Sequence, residues 1–139
     1  MKKIILLFLL FTIISCSSKK NNILEFIENG FEENTYLSIS INTKDDLKSS
    51  IKIINHKIKA NTEYIFAIGR NEGPIRFTYQ ATNDGEFFVN ANELSLGDDS
   101  FIDTLKKANY MSIGIYQSEH YTDYYELKGL QDFLSKNSL

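Results

Sequence analysis

The stretch IRFTYQATNDGEFFVNA, residues 75–91, decides the fold class. Ile75, Phe77 and Tyr79 alternate with Arg76, Thr78 and Gln80, and Phe87, Val89 and Ala91 resume the period after Asn83-Asp84-Gly85. A period of two is that of a strand with one buried face and one wet face. Asp-Gly between two such runs suits a tight turn, because glycine adopts positive φ without steric cost. The spacing predicts a β-hairpin.

The same period extends on both sides. Leu37, Ile39 and Ile41 alternate with Ser38 and Ser40, which predicts a strand wet on its serine face. From Ile51 to Ile58 the phase slips: Ile51 and Ile53 share one face, Ile54 and Ile58 the other, so a bulge or strand break is expected near Asn55. Tyr64, Phe66 and Ile68 face one way and Ile65 and Ala67 the other, as in a strand covered on both sides, and Gly69 to Gly73 reads as a polar turn. Downstream, Ser100 is an N-cap with Asp103 at the capping-box position, and Phe101, Ile102, Leu105 and Ala108 form a helical stripe. Lys106 and Lys107 fall in its last turn, where the helix dipole favours them. Met111, Ile113 and Ile115 return to period two, and Leu130, Phe133 and Leu134 after Gly129 predict a short closing helix. Near the start, Ile23-Leu24-Glu25-Phe26-Ile27 reads as one apolar turn ended by Asn29-Gly30. The expected class is mainly β: a small β-sandwich or open barrel of about seven or eight short strands, with one or two short helices.

Residues 1–16, MKKIILLFLLFTIISC, carry a different message. Two lysines precede an apolar run from Ile4 to Phe11, and Ser15 leads into Cys16, the only cysteine. A charged head, a short apolar run and a small residue at the cut site are the layout of a secretory signal. The segment resembles the bacterial lipoprotein signal in particular. That resemblance implies cleavage between Ser15 and Cys16 and acylation of Cys16 on its sulfur and on the new amine. Residues 1–15 are then the signal peptide, 16–22 the lipidated cysteine and a polar tether, and 23–139 a single β-rich domain. The apolar run is shorter than the roughly 20 residues a spanning helix needs. More than one acyl chain on Cys16 meets the requirement for stable anchoring without one. Ser17 is not the aspartate that the lipoprotein resemblance links to inner-membrane retention. The expected place is the cell envelope, lipid-anchored, on the outer membrane where the cell has two.

Charge and cysteine usage narrow the classes further. The chain of 139 residues has 15 basic and 18 acidic side chains, net −3, and losing Lys2 and Lys3 with the signal takes this to −5. An acidic surface argues against nucleic acid and against electrostatic docking on anionic lipid. With Cys16 lipidated no thiol remains for a disulfide, a nucleophile or a thiolate metal site. Burial must hold the domain together, and all eight tyrosines lie beyond Cys16 to supply it.

A second resemblance rests on the apolar pattern from Tyr64 to Leu134. A glycine-turn hairpin (Ile75 to Val89), a strand running into acidic residues (Ala91 to Asp99), a helix with paired lysines (Phe101 to Ala108), a strand (Met111 to Ile115) and the closing Leu127-Lys128-Gly129-Leu130 are similar to the invasion-associated locus B family of small exported bacterial proteins. The resemblance implies a β-sandwich with no established catalytic chemistry and, in some members, contact with host cells. The chain departs from that family in having Ala81 and Glu86 near the places of its cysteine pair.

Catalytic motifs are absent. His56 and His120 are the only histidines, and the segment Glu119-His120-Tyr121-Thr122-Asp123 supplies too few ligand types for a metal set of three or four. It reads as a polar turn between strands, and His56 as a solvated strand end. Asp98-Asp99 lacks the regular oxygen spacing of a calcium loop and suits a helix start instead. No Gly-x-Ser-x-Gly elbow, phosphate-cradling Gly-x-x-x-x-Gly-Lys or Gly-x-Gly-x-x-Gly occurs. No catalytic residue, metal ligand or cofactor is expected.

Tyrosines are the chemistry that remains. Tyr110, Tyr116, Tyr121, Tyr124 and Tyr125 crowd the last two predicted strands. Such residues stabilise sheets by cross-strand pairing alone. Yet Tyr110 and Tyr116 share the phase of Ser112 and Gly114, opposite the aliphatic face, and tyrosine is enriched at interfaces. Tyr110, Tyr116, Tyr121 and Tyr124 are therefore the candidate binding surface. The expected function is that of an envelope lipoprotein, attached by lipid on Cys16, that binds an unidentified envelope or host protein without catalysis. The alternative is a periplasmic inhibitor or immunity-type lipoprotein; an enzyme ranks last.

Overall fold

The computed structural model describes residues 22–139. The signal peptide, Cys16 and the tether up to residue 21 lie outside the described residues. Eight strands run β1 (Ile23–Asn29), β2 (Tyr36–Asn42), β3 (Ser50–Ile54), β4 (Glu63–Arg70), β5 (Ile75–Gln80), β6 (Glu86–Asn90), β7 (Ala108–Ile115) and β8 (Asp123–Glu126). Two short helices, α1 (Phe101–Lys107) and α2 (Leu130–Lys136), complete the domain. The strands form two antiparallel sheets, ordered β1-β2-β3-β6 and β5-β4-β7-β8. Neither closes into a barrel, so the architecture is a β-sandwich.

The inner faces meet over one continuous core. Leu37, Ile39 and Ile41 of β2, Ile51 and Ile53 of β3, and Phe87 and Val89 of β6 face Tyr64, Phe66 and Ile68 of β4 and Met111 and Ile113 of β7. Alternation along each strand puts these residues inside. The expected break at Asn55 is present: β3 ends at Ile54, Asn55 is buried, and Ile58 re-enters the core. Ser100 caps α1 by accepting from the Asp103 N–H at 3.0 Å, and Asp46 Oδ2 accepts from the Phe101 N–H at 2.7 Å. Phe133 of α2 packs on Phe26 of β1, ring centres 5.5 Å apart, and Gln131 Nε2 donates to the Leu105 carbonyl of α1.

Residues 75–91 form strand, turn and strand, but not the expected hairpin. β5 pairs with β4, from Ile75↔Ile68 to Gln80↔Glu63, whereas β6 pairs with β3, from Glu86↔Ile54 to Asn90↔Ser50. Among the described residues the only backbone pairing between the two sides is the Asn83↔Glu86 bridge. The cause lies in what the turn is bonded to. The Ala81 N–H donates to the Thr62 carbonyl and its carbonyl accepts from Asn61, while Gly85 exchanges the same pair of bonds with Ile58 and Asn55. Both crossings between the sheets, β3 to β4 and β5 to β6, are thus fastened to each other. Gly85 keeps the positive φ expected of it, +76°.

Two further expectations change. Ile23 to Ile27 belong to β1, a seven-residue edge strand with Leu24 and Phe26 turned inward, and not to an apolar turn. Ser38 is buried, not wet, because β1 covers it and its hydroxyl donates to Glu25 Oε1 at 2.6 Å.

Candidate functional site

The outer face of the β5-β4-β7-β8 sheet carries the tyrosines, and glycines determine how they lie. Gly69 of β4 sits opposite Tyr110 of β7, and a Cβ on Gly69 would overlap ring atoms Cδ1, Cε1 and Cζ of Tyr110. The Tyr110 ring therefore lies over the bare Gly69 backbone. On its other side it stacks on Tyr124 of β8, with centres 5.0 Å apart and planes 20° from parallel. Tyr124 in turn faces Phe31, at 6.4 Å and 8°, and Tyr121 leans on Tyr124 at 5.4 Å. Burial, with Tyr110 and Glu126 nearby, pushes the Tyr124 hydroxyl above its ordinary range.

Phe31 reaches this ladder from the β1–β2 connection, and a buried carboxylate holds it there. Asp123 is fully buried, and its Oδ1 accepts from the backbone N–H groups of both Phe31 and Tyr124, each at 3.0 Å. One oxygen thus fixes the backbones of the two stacked residues. Asp123 Oδ2 accepts from Asn55 Nδ2 and from the Tyr125 hydroxyl, both at 2.9 Å. Four donors and no acceptor are the complement of a carboxylate. Burial first, and then the adjacent Asp123, push the Tyr125 hydroxyl far above its ordinary range. The next residue of the loop, Glu32, is gripped by Lys57 and by His56 Nε2 at 3.2 Å, and Lys57 holds its carboxyl below the ordinary value.

Beside the ladder the same face is hollowed into a shallow concavity of about 260 Å³. Its floor is made of small residues, Ala67, Ser112 and Gly114, and its walls of Tyr110, Tyr121, Ile65 and the Ser118–His120 loop, with Arg76 at the rim. Gly114 lets that loop fold over the strand: a Cβ there would lie 3.0 Å from the His120 carbonyl oxygen. Among the described residues no acidic side chain pairs with Arg76, and no hydrogen bond engages the Ser112 hydroxyl or the hydroxyls of Tyr110, Tyr121 and Tyr124. Tyr64, Tyr79 and Tyr125 differ, since their hydroxyls bond to Lys59 N, the Glu93 carbonyl and Asp123.

Of the four candidate tyrosines the fold brings together Tyr110, Tyr121 and Tyr124. Tyr116 stands apart: its N–H donates to Glu63 at 2.9 Å, extending the β4–β7 pairing, and its ring joins no aromatic contact among the described residues. Tyr125 is core. Phe31, 67 % exposed, is the member that sequence reasoning missed, since a lone aromatic in Phe31-Glu32-Glu33-Asn34 carries no period. Asp123, read as a turn residue, faces inward. Glu119 and His120 stay on the loop, and no three of His, Cys, Asp and Glu converge among the described residues.

No family model, curated protein or solved structure matches the chain. The likeness to invasion-associated locus B proteins rests on the sequence pattern alone.

Proposed function

We propose that the chain is a lipid-anchored envelope protein, held by acyl chains on Cys16, whose domain binds a protein partner without catalysis. The observation that supports this reading is the Phe31–Tyr124–Tyr110 ladder, with Tyr121, beside a concavity where, among the described residues, the Ser112, Tyr110 and Tyr121 hydroxyls engage no hydrogen bond and the Arg76 guanidinium no acidic side chain. Tyrosine, serine and glycine with an arginine are the composition of adaptable protein-binding surfaces, because tyrosine supplies large contact area at low entropic cost. The carboxylate of Asp123 holds the ladder before any partner arrives, which lowers the cost of ordering on association. Catalysis lacks the corresponding support: no hydrogen bond among the described residues joins Ser112 to a histidine or carboxylate that would activate it.

Photo-crosslinking in intact cells tests the reading. Benzoylphenylalanine at Tyr121, 60 % exposed, is expected to give a discrete adduct with an envelope or host protein. The same group at Leu47, equally exposed but remote from the tyrosine face, is expected to give none. Identical adducts at the two positions, or no adduct at Tyr121, would overturn it.

A further inference from the structure

We infer that the outer face of the β1-β2-β3-β6 sheet lies on the lipid surface to which Cys16 is attached, so that the tyrosine surface is turned away from the membrane. This rests on the lipidation of Cys16 proposed above. The tether from Cys16 to Asn22 spans at most about 25 Å even when fully extended. It enters the domain at Ile23, the first residue of β1, which is the edge strand of that sheet. The anchor is therefore joined to the domain through this sheet, and the tyrosine face is the outer face of the other one.

The face has the side chains for shallow contact with lipid. One cross-strand row runs Ile27–Ser38–Lys52–Phe88. Ile27 is 55 % and Phe88 49 % exposed, an aliphatic and an aromatic group at the two edges of the sheet with no apolar cover among the described residues. Lys52 between them has no acidic partner among the described residues, and its stem suits a charge directed at headgroup phosphate. Two carboxylates flank the row on this face, Glu25 beside Ile27 and Glu86 beside Phe88, and Glu25 is already tied to Ser38. The net negative charge of the chain does not oppose the arrangement, because attachment through Cys16 makes the contact intramolecular and a weak interaction then suffices.

The chain contains no tryptophan, so one introduced tryptophan reports alone. Ile27→Trp, Phe88→Trp and Tyr121→Trp are prepared in the protein recovered from cell membranes. Each is reconstituted in phosphatidylcholine vesicles with and without bromine on the acyl chains. Tryptophan at position 27 or 88, lying within the roughly 5–10 Å interfacial depth, is expected to lose about half its emission to bromine. Tryptophan at position 121 is expected to lose none. Two variants on the docking face guard against one of them misfolding. Quenching at 121 alone, or at none of the three while the protein floats with the vesicles, overturns the orientation. If washed vesicles retain no protein, the lipidation reading has failed instead. The Cys16 thiol is then coupled to maleimide-bearing phosphatidylethanolamine, and the same quenching pattern decides the orientation independently.

Discussion

Replacing Gly30 with alanine is expected to cost more than replacing Gly85, although only Gly85 has a positive φ. Gly30 sits where the β1–β2 loop crosses the buried carboxylate. A Cβ there would overlap Thr35 Oγ1 and Asp123 Oδ2 and come within 2.9 Å of Asp123 Cγ. Neither neighbour yields easily: Thr35 and Asp123 are buried, and Asp123 holds four hydrogen bonds. The loop must retreat, which breaks the Phe31 N–H bond to the carboxylate. Overpacking of this kind costs about 1–3 kcal/mol, and loss of a hydrogen bond to a charged group about 1.5–3 kcal/mol. These overlap in one displacement, so about 3 kcal/mol is expected. At Gly85 the φ is +76° and nothing lies within 4 Å of an added Cβ, so the cost is left-handed backbone strain alone, about 1–2 kcal/mol. Equilibrium urea unfolding followed by far-UV circular dichroism separates the two. With a slope of about 1–1.5 kcal/mol per molar urea, the Gly30→Ala midpoint should fall by about 2 M and the Gly85→Ala midpoint by about 1 M. Equal shifts, or a larger one for Gly85→Ala, would refute the close approach at Gly30 and the role of Asp123 beneath it.

The same network makes other predictions. Asp123→Asn keeps the shape but turns an NH₂ toward donors, so urea unfolding should show a loss of about 2 kcal/mol or more. Tyr125 has its hydroxyl raised in the folded state, so its contribution is fully present below the unfolded value near 10.0 and declines as pH rises beyond it. Stability against urea should therefore fall above that pH, a slope that Tyr125→Phe flattens. Tyr110→Ser uncovers Gly69 and removes one side of the ladder, whereas Tyr116, 44 % exposed, has no ring partner among the described residues. The first should cost at least about 1 kcal/mol more than Tyr116→Ser in the same assay. Cys16→Ser should abolish labelled-palmitate incorporation and release the folded domain from washed membranes.

Alternation made the strands legible because one face of each is buried, and it located β2, β4, β5 and β7 directly. It reports which face of a strand is inside, not which strand lies beside it. Phe77 and Tyr79 of β5 and Phe87 and Val89 of β6 meet the same core from opposite sheets, so the sequence pattern is the same as that of a hairpin. The deciding bonds run from Ala81 and Gly85 to residues about 20 to 30 positions away. β1 escaped recognition because its edge residues Ile23 and Ile27 are apolar and outward-facing, which erases the alternation. The tyrosine surface was legible in part, through the phase of Tyr110 with Ser112 and Gly114. Phe31 was not, since it meets Tyr124 only after Asp123, 92 residues away, fixes its backbone. A buried aspartate in a polar run has no signature of its own.

Binding through the tyrosine face is tested by the affinity of the partner crosslinked at Tyr121 for a Phe31→Ser/Tyr121→Ser variant, measured at equilibrium beside the unaltered protein. Both side chains are largely exposed and each gives up one ring contact with Tyr124, so the double variant should lose no more than about 2 kcal/mol of urea stability. Truncating two anchors of an interface should weaken binding at least about tenfold, the equivalent of about 1.4 kcal/mol. Unchanged affinity in a stably folded variant would mean that the tyrosine face is not the binding surface.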